Sequence, residues 1–217
     1  MKEVTTKDGS ITFHNEEYDE TYHSTSGAKE EAVKKFAEPS NFKELVAKQK
    51  MIKILDVCFG LGYNSAAAID EIRKYSADCK IIIFALESDD EILKKTNEVN
   101  PEFDCYEIIR DAANYHNYNQ DNIEITLLLG DARETIQNIA ESEFDCVFLD
   151  SFSPKKCPEL WTEEFFKDIS ALVRKGGILT TYSCAGSVRK NLESASFEVR
   201  DGPCVGRKAP STIAIKQ

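Results

Sequence analysis

The sequence predicts an α/β fold: a mostly parallel sheet finished by a C-terminal antiparallel hairpin. Three observations carry this. From residue 51 onward, short apolar runs alternate with segments of helical spacing. The runs are near-continuous rather than alternating, as in strands buried on both faces. The last two extended segments, FEVRD and STIAIK, have no helix between them.

The elements follow in order. Residues 1–27 are polar, with ITFH as one strand, and residues 28–50 carry helical spacing broken by Pro39. Ala32, Phe36, Phe42, Leu45 and Val46 are the residues of that stretch expected to face a core. Strands are expected at 51–59, 80–87, 123–132, 144–150 and 177–184. Helices are expected at 64–77, 89–99, 132–143, 159–176 and 186–196, the fourth stopped by Gly176-Gly177. Residues 101–122 read as a polar insertion whose YHNYNQDN stretch is an exposed loop. Five βα units and a closing hairpin form the pattern of the class I S-adenosyl-L-methionine (SAM)-dependent methyltransferase sheet, a Rossmann-like fold. On that pattern, residues 1–50 are an N-terminal extension of strand and helices packed on the core, and residues 51–217 are the methyltransferase domain.

Composition narrows the function. The 217 residues are 41% hydrophobic, enough for a core. No run is long and apolar enough to span a bilayer, and the N-terminus lacks a signal-peptide region, so a cytoplasmic location without membrane partners is expected. The seven cysteines include no C-x-x-C pair, so no metal is expected, and reduced, mostly buried thiols are. With three histidines, a Cys/His nucleophile has little support. The net charge of −11 repels phosphate backbones, so a nucleic-acid function requires a local basic patch.

In such folds ligands sit outside the carboxyl ends of the strands. The first strand ends in DVCFGLGYN. Gly60 and Gly62 let a backbone approach a ligand, and Asn64 follows them. A dinucleotide site wants a third glycine where Ser65 stands. Asp56 suits a cationic amino-acid moiety better than a pyrophosphate, which favours SAM. Glu87 ends the second strand and can accept from both ribose hydroxyls; the alternative is an acid stabilising a helix start. Asp131 follows a strand-end glycine, as the usual partner of the adenine amino group does, and can also cap the next helix. Asp150 ends the fourth strand, where the reacting methyl group is faced. The rigid SFSP turn, Pro158, Trp161 and Phe165 stiffen its surroundings; the alternative is a carboxylate serving loop amides.

DVCFGLGYN, LDSFSPKKCPELWTEEFF, TYSCAGSVRKNLESASFEV and VGRK together resemble the methyltransferase domain of the MnmC family. The similarity runs from about residue 13 to the C-terminus. Its most specific part is D-x-F-x-P-x-K-x-P-x-x-W, at Asp150, Phe152, Pro154, Lys156, Pro158 and Trp161. The resemblance implies SAM-dependent methylation of the primary amine of 5-aminomethyl-2-thiouridine at the tRNA wobble position. It also implies a form without the family's FAD oxidase domain. Asp150 would orient the amine and help remove its proton. The partner implied is the tRNA anticodon loop, alongside other wobble-uridine-modifying enzymes. Lys155, Lys156, Arg189, Lys190, Arg207 and Lys208 would form a basic rim, and Phe152 and Tyr182 would stack on the uracil; the alternative is an ordinary set of solvated cations.

Three rivals remain. An aminopropyltransferase or other enzyme acting on a small-molecule amine shares the fold and a sulfonium donor, but the W-T-x-x-F-F run and GRK have no place in an aminopropyltransferase. An NAD-linked enzyme is disfavoured by the missing glycine and the terminal hairpin. A silent binding fold is disfavoured by the acids at successive strand ends.

Overall fold

The computed structural model describes residues 1–140 and 143–217. The chain opens with a three-stranded antiparallel sheet, β1 (Lys2–Thr5), β2 (Ile11–Asn15) and β3 (Glu20–Thr21). Helix α1 (Ala28–Glu31) runs directly into a π-helical segment, Ala32–Ala37, and a 3-10 turn, Glu38–Ser40. Pro39 ends the run as expected. Asn41, at a left-handed φ of 54°, turns the chain into α2 (Phe42–Lys48).

The sheet then follows the predicted alternation. It comprises β4 (Met51–Val57), α3 (Tyr63–Tyr75), β5 (Lys80–Glu87), α4 (Asp90–Lys95), α5 (Tyr106–Tyr115), β6 (Asn117–Gln120) and β7 (Ile123–Leu129). After these come α6 (Ala132–Thr135), β8 (Phe144–Leu149), α7 (Glu163–Leu172), β9 (Val173–Thr181), α8 (Gly186–Ser194), β10 (Phe197–Asp201) and β11 (Thr212–Lys216). The spatial order is β10-β11-β9-β8-β4-β5-β7-β6. Strands β7, β5, β4, β8 and β9 are mutually parallel, and β11 closes one side antiparallel, with β10 beyond it. This is the mostly parallel sheet with a C-terminal hairpin that the sequence predicts.

Side-chain alternation splits the interior in two. Ile52 and Ile54 of β4 face the N-terminal helices, α3 and α5, while Leu55 and Val57 face α6, α7 and α8. Each such buried aliphatic or aromatic side chain contributes about 1.5–3 kcal/mol. Order reverses where β4 pairs with β5 on one side and β8 on the other, which is where open α/β sheets place ligands.

Three expectations are corrected. The YHNYNQDN stretch of the insertion 101–122 is not a loop, and the insertion has regular structure in its second half. It holds α5, whose Tyr106, Ile109, Ala112 and Ala113 are buried, and β6, which pairs antiparallel with β7. The apolar stripe was outweighed by the polar face opposite it, and β6 is an exposed edge strand with no apolar pattern. Gly176 and Gly177 do not stop a helix: α7 ends at Leu172, and the pair lies within β9 beside a register irregularity against β8. A Cβ on Gly177 would lie 2.9 Å from the Phe144 carbonyl. The helix at 132–143 is a short α6 and a 3-10 turn ending at Asn138; its positions 141 and 142 lie outside the described residues.

Candidate active site

A cavity of about 810 Å³ opens at the carboxyl ends of β4, β5 and β8. Gly60, Glu87 and Asp150 line it from the sheet. Gly60 sits at φ 56°, and a Cβ there would have Tyr22 as its nearest neighbour at 3.6 Å. Its backbone thus approaches the cavity with room in front of it.

Glu87 is held by the chain around it. Oε2 accepts from the Gly60 amide at 2.8 Å, and Oε1 accepts from the Ser88 and Asp89 amides at 2.8 and 2.9 Å. A carboxylate offers about four acceptor positions, so one remains for a ligand hydroxyl, where the sequence reading expected two. Burial raises its pKa, and the three amides partly offset that.

Asp150 follows β8, its amide donating to the Val57 carbonyl at 3.2 Å. Asn64 Nδ2 donates to its Oδ2 at 2.9 Å. Its carboxyl pKa is pushed well above the usual range, first by burial and then by the Glu31 carboxylate. The raised value suits a proton acceptor. Around it, the Trp161 indole donates to the Phe152 carbonyl at 2.9 Å and the Tyr182 hydroxyl to the Ser151 carbonyl at 3.0 Å. The stiff loop after Asp150 is therefore tied at its backbone as well as by proline.

Three glycine-loop expectations need correcting. Asp56 is fully buried, does not line the cavity, and accepts from Ser65 Oγ at 2.6 Å. It lies on the Ile54 face of β4, under α3, so it cannot hold an amino-acid moiety. Burial pushes its pKa up to about 7. Gly62 also lies away from the cavity; a Cβ there would meet Ile109 Cγ2 at 2.4 Å and Phe59 Cζ at 2.6 Å. Its role is close packing against α5. Asn64 is buried behind the lining and orients Asp150.

A second cavity of about 160 Å³ adjoins the first, with Cys58, Glu87, Ser88, Tyr18, Cys157 and Leu160 common to both. Asp131 lines it and caps α6, accepting from the Arg133 amide at 2.9 Å. The Arg133 guanidinium holds the Asp131 carboxyl below its usual pKa. Both roles read from the sequence are thus sterically compatible.

The rim cations are not gathered. Among the described residues, Arg207 alone of the six lines the cavity, lying over the Tyr182 ring at 5.8 Å. Arg189 staples the hairpin through Thr212 Oγ1 and the Ser211 carbonyl and pairs with Asp201 at 2.7 Å. Lys156 lies 3.7 Å from Asp19, and Lys155, Lys190 and Lys208 are exposed and outside the lining. Phe152 and Tyr182 do line the cavity, but Phe152 is already stacked on Tyr18, centroids 4.4 Å apart.

The wall that sequence reasoning missed comes from residues 14–35. This strap crosses the carboxyl edge of the sheet and is fastened on both sides. The Tyr22 hydroxyl donates to Asp89 at 2.7 Å, after β5, and Glu20 accepts from the Ser153 amide at 2.8 Å, after β8. Glu31 and Lys35, from α1 and the π-helical segment, project into the cavity as a buried ion pair. The acid-aromatic pattern NEEYDETYH was a signal for it, though not for its direction.

A sulfonium nucleoside with an amino-acid tail fits this chemistry: a glycine backbone with space before it, a strand-end carboxylate with a free acceptor site, and an adjoining pocket walled by Leu86, Ala132 and Leu160. Comparison with known proteins decides the family. The sequence profile described as S-adenosyl-L-methionine-dependent methyltransferase matches residues 97–217. The protein is a SAM-dependent methyltransferase. This methyltransferase is 34% identical over 220 residues to the uncharacterized protein MJ0670 of Methanocaldococcus jannaschii, covering 98% of this chain and 59% of that one. It is 31% identical over 218 residues to the tRNA 5-methylaminomethyl-2-thiouridine biosynthesis bifunctional protein MnmC of Ralstonia nicotianae, covering 91% of this chain and 32% of the relative. Among solved structures it superposes on MNMC2 from Aquifex aeolicus with a TM-score of 0.85 and 34% identity, covering 98% of this chain and 69% of that one. The methyltransferase thus spans about three fifths and about a third of the two curated relatives, and is homologous to the methyltransferase region of MnmC. Its methyl donor is SAM. Among the described residues, no helix is long and apolar enough to cross a membrane.

Proposed function

We propose that the methyltransferase N-methylates a primary amine, and that the amine is the aminomethyl group of 5-aminomethyl-2-thiouridine at the tRNA wobble position. The observation that carries the amine is Asp150: a carboxylate at the cavity wall, anchored through one oxygen by Asn64, with a raised proton affinity. The uridine is supported by the likeness to MnmC of Ralstonia nicotianae and to MNMC2 from Aquifex aeolicus.

SAM supplies an electrophilic methyl group. A primary alkylammonium has no lone pair and cannot attack it. Asp150 accepts a hydrogen bond from the arriving ammonium and takes its proton, leaving a neutral amine held in place. The desolvated setting that raises the Asp150 pKa makes this transfer easier, because the neutral pair is favoured away from water. The strap forms the wall of the site opposite the sheet.

The test is methyl transfer from labelled SAM to tRNA carrying 5-aminomethyl-2-thiouridine, read by nucleoside mass analysis. The expected product is 5-methylaminomethyl-2-thiouridine. One observation favours a second reading, a small free amine as acceptor: nine acidic side chains line the cavity against Lys35 and Arg207. Such a lining attracts cations and repels phosphates. Transfer to small primary amines, with none to tRNA, establishes that alternative.

A further inference from the structure

The strap brings an unusual pair of charges into the cavity. Lys35 and Glu31 are 2% and 5% exposed, and Lys35 Nζ lies 2.5 Å from Glu31 Oε1. Glu31 Oε2 accepts from the Ser24 amide at 2.8 Å. A buried ion pair contributes little net stability, since desolvation offsets the attraction. Lys35 is also carried on a π-helical segment that starts directly after Glu31, a rare conformation that concentrates at functional sites. Neither feature serves the sheet.

The unused bonding capacity shows what the pair can bind. Lys35 Nζ has three donors, and Glu31 is its one hydrogen-bond partner among the described residues. Each Glu31 oxygen has one bond and room for another. The cavity therefore meets a donor cation and an acceptor anion side by side. An α-amino acid presents the complementary arrangement, a carboxylate and an ammonium on one carbon. Asp56, the strand residue expected to hold such a group, is sealed beneath α3. The strap supplies what the sheet does not.

We infer that Lys35 and Glu31 form the receptor for the zwitterionic methionyl tail of the donor, Lys35 donating to its carboxylate and Glu31 accepting from its ammonium. Asp150 is thereby left to the acceptor amine. The inference rests on SAM as the donor, not on which amine is methylated. It also makes Lys35 the residue that separates SAM from its decarboxylated analogue, the substrate of aminopropyltransferases.

Calorimetric binding tests this without turnover, using the full chain. The ligands are S-adenosylhomocysteine, which carries the tail, and 5′-methylthioadenosine, which lacks it. In Lys35→Met, affinity for S-adenosylhomocysteine falls roughly 10- to 100-fold, the scale of a lost charge-assisted hydrogen bond. Affinity for methylthioadenosine stays put, which also reports that the cavity is formed. Glu31→Gln gives a smaller loss of the same kind. Unaltered affinity for S-adenosylhomocysteine in Lys35→Met overturns the inference. So does a parallel loss of both ligands, which means the pair shapes the cavity rather than reading the tail. A second measurement uses the unaltered protein: SAM binds at least about tenfold more tightly than decarboxylated SAM, by the same hydrogen-bond scale. Equal binding of the two overturns the inference while leaving the donor in place. Absence of binding by every adenosyl ligand removes the donor reading itself.

Discussion

The two walls of the cavity are built on different terms. The sheet wall, Gly60, Glu87 and Asp150, is made of strand ends fixed by parallel ladders and by amides next to them in sequence or space. The outer part of the strap wall, residues 14–24, is held by side chains, Tyr22 on Asp89, Glu20 on Ser153 and Tyr18 on Phe152, whereas Ala28 and Ala32 behind it are buried in the core. A wall fixed by ladders cannot move without melting the core. A wall fixed by a few side-chain bonds of about 0.5–1.5 kcal/mol each can open locally. The difference assigns precision to the sheet and enclosure to the strap.

Five variants break or sharpen this contrast. The largest effect is expected from Asp150→Asn, which removes the proton acceptor while preserving shape. Turnover falls by roughly 10²- to 10⁴-fold, while S-adenosylhomocysteine affinity holds. Steady-state rates with calorimetry check it, and equal loss of both would contradict the assigned role. Next is Gly62→Ala, whose Cβ meets Ile109 and Phe59 at a positive φ. Overpacking and backbone strain cost about 2–4 kcal/mol, read by urea unfolding. Gly60→Ala at the cavity face, with its neighbour 3.6 Å away, costs only the strain, about 1 kcal/mol. Two glycines of one motif thus differ because one supports the wall and the other is the wall.

Asp56→Asn has a pH signature. A carboxyl raised from 3.8 to about 7 binds its proton more tightly when folded. Its contribution is present at low pH and is lost as pH rises from about 4 toward about 7. The variant lacks that loss, so it gains on wild type by on the order of 3–4 kcal/mol across the window. Unfolding curves at both ends of the window measure it, and identical pH dependence in the two proteins would refute it. The smallest effect is Tyr22→Phe, which unties the strap from Asp89. Global stability changes by about 1 kcal/mol or less, while amide exchange across residues 14–24 accelerates. Unchanged exchange would mean that the strap is as fixed as the sheet.

The sheet was legible because parallel strands declare themselves as apolar runs, and because strand ends fix where Glu87 and Asp150 sit. Direction was harder. Asp56 lies two residues after Ile54, so the period of two puts it under α3 with that residue, yet proximity to the glycines suggested the cavity. Asn64 and Gly62 were likewise in the right neighbourhood with their roles inverted. The basic rim dispersed because Arg189 and Lys156 are claimed by Asp201 and Asp19, partners that are distant in sequence. Nothing local announces a π-helical segment, so nothing in the sequence marked Lys35 as a cavity residue. The strap was opaque for the same reason: its meaning lies in contacts 67 and 133 residues away.

Those separations set a schedule. On a ribosome adding about 5–20 residues per second, Glu20 waits roughly 7–25 s for Ser153 to emerge. Phe13, Phe36 and the Glu31–Lys35 pair are made early and have no sheet to lie against until β4, β5 and β8 have formed. The first fifth of the chain is thus among the last to reach its place. The cavity and the core face on which Ile52 and Ile54 lie are completed by the same late meeting of the chain's two distant parts.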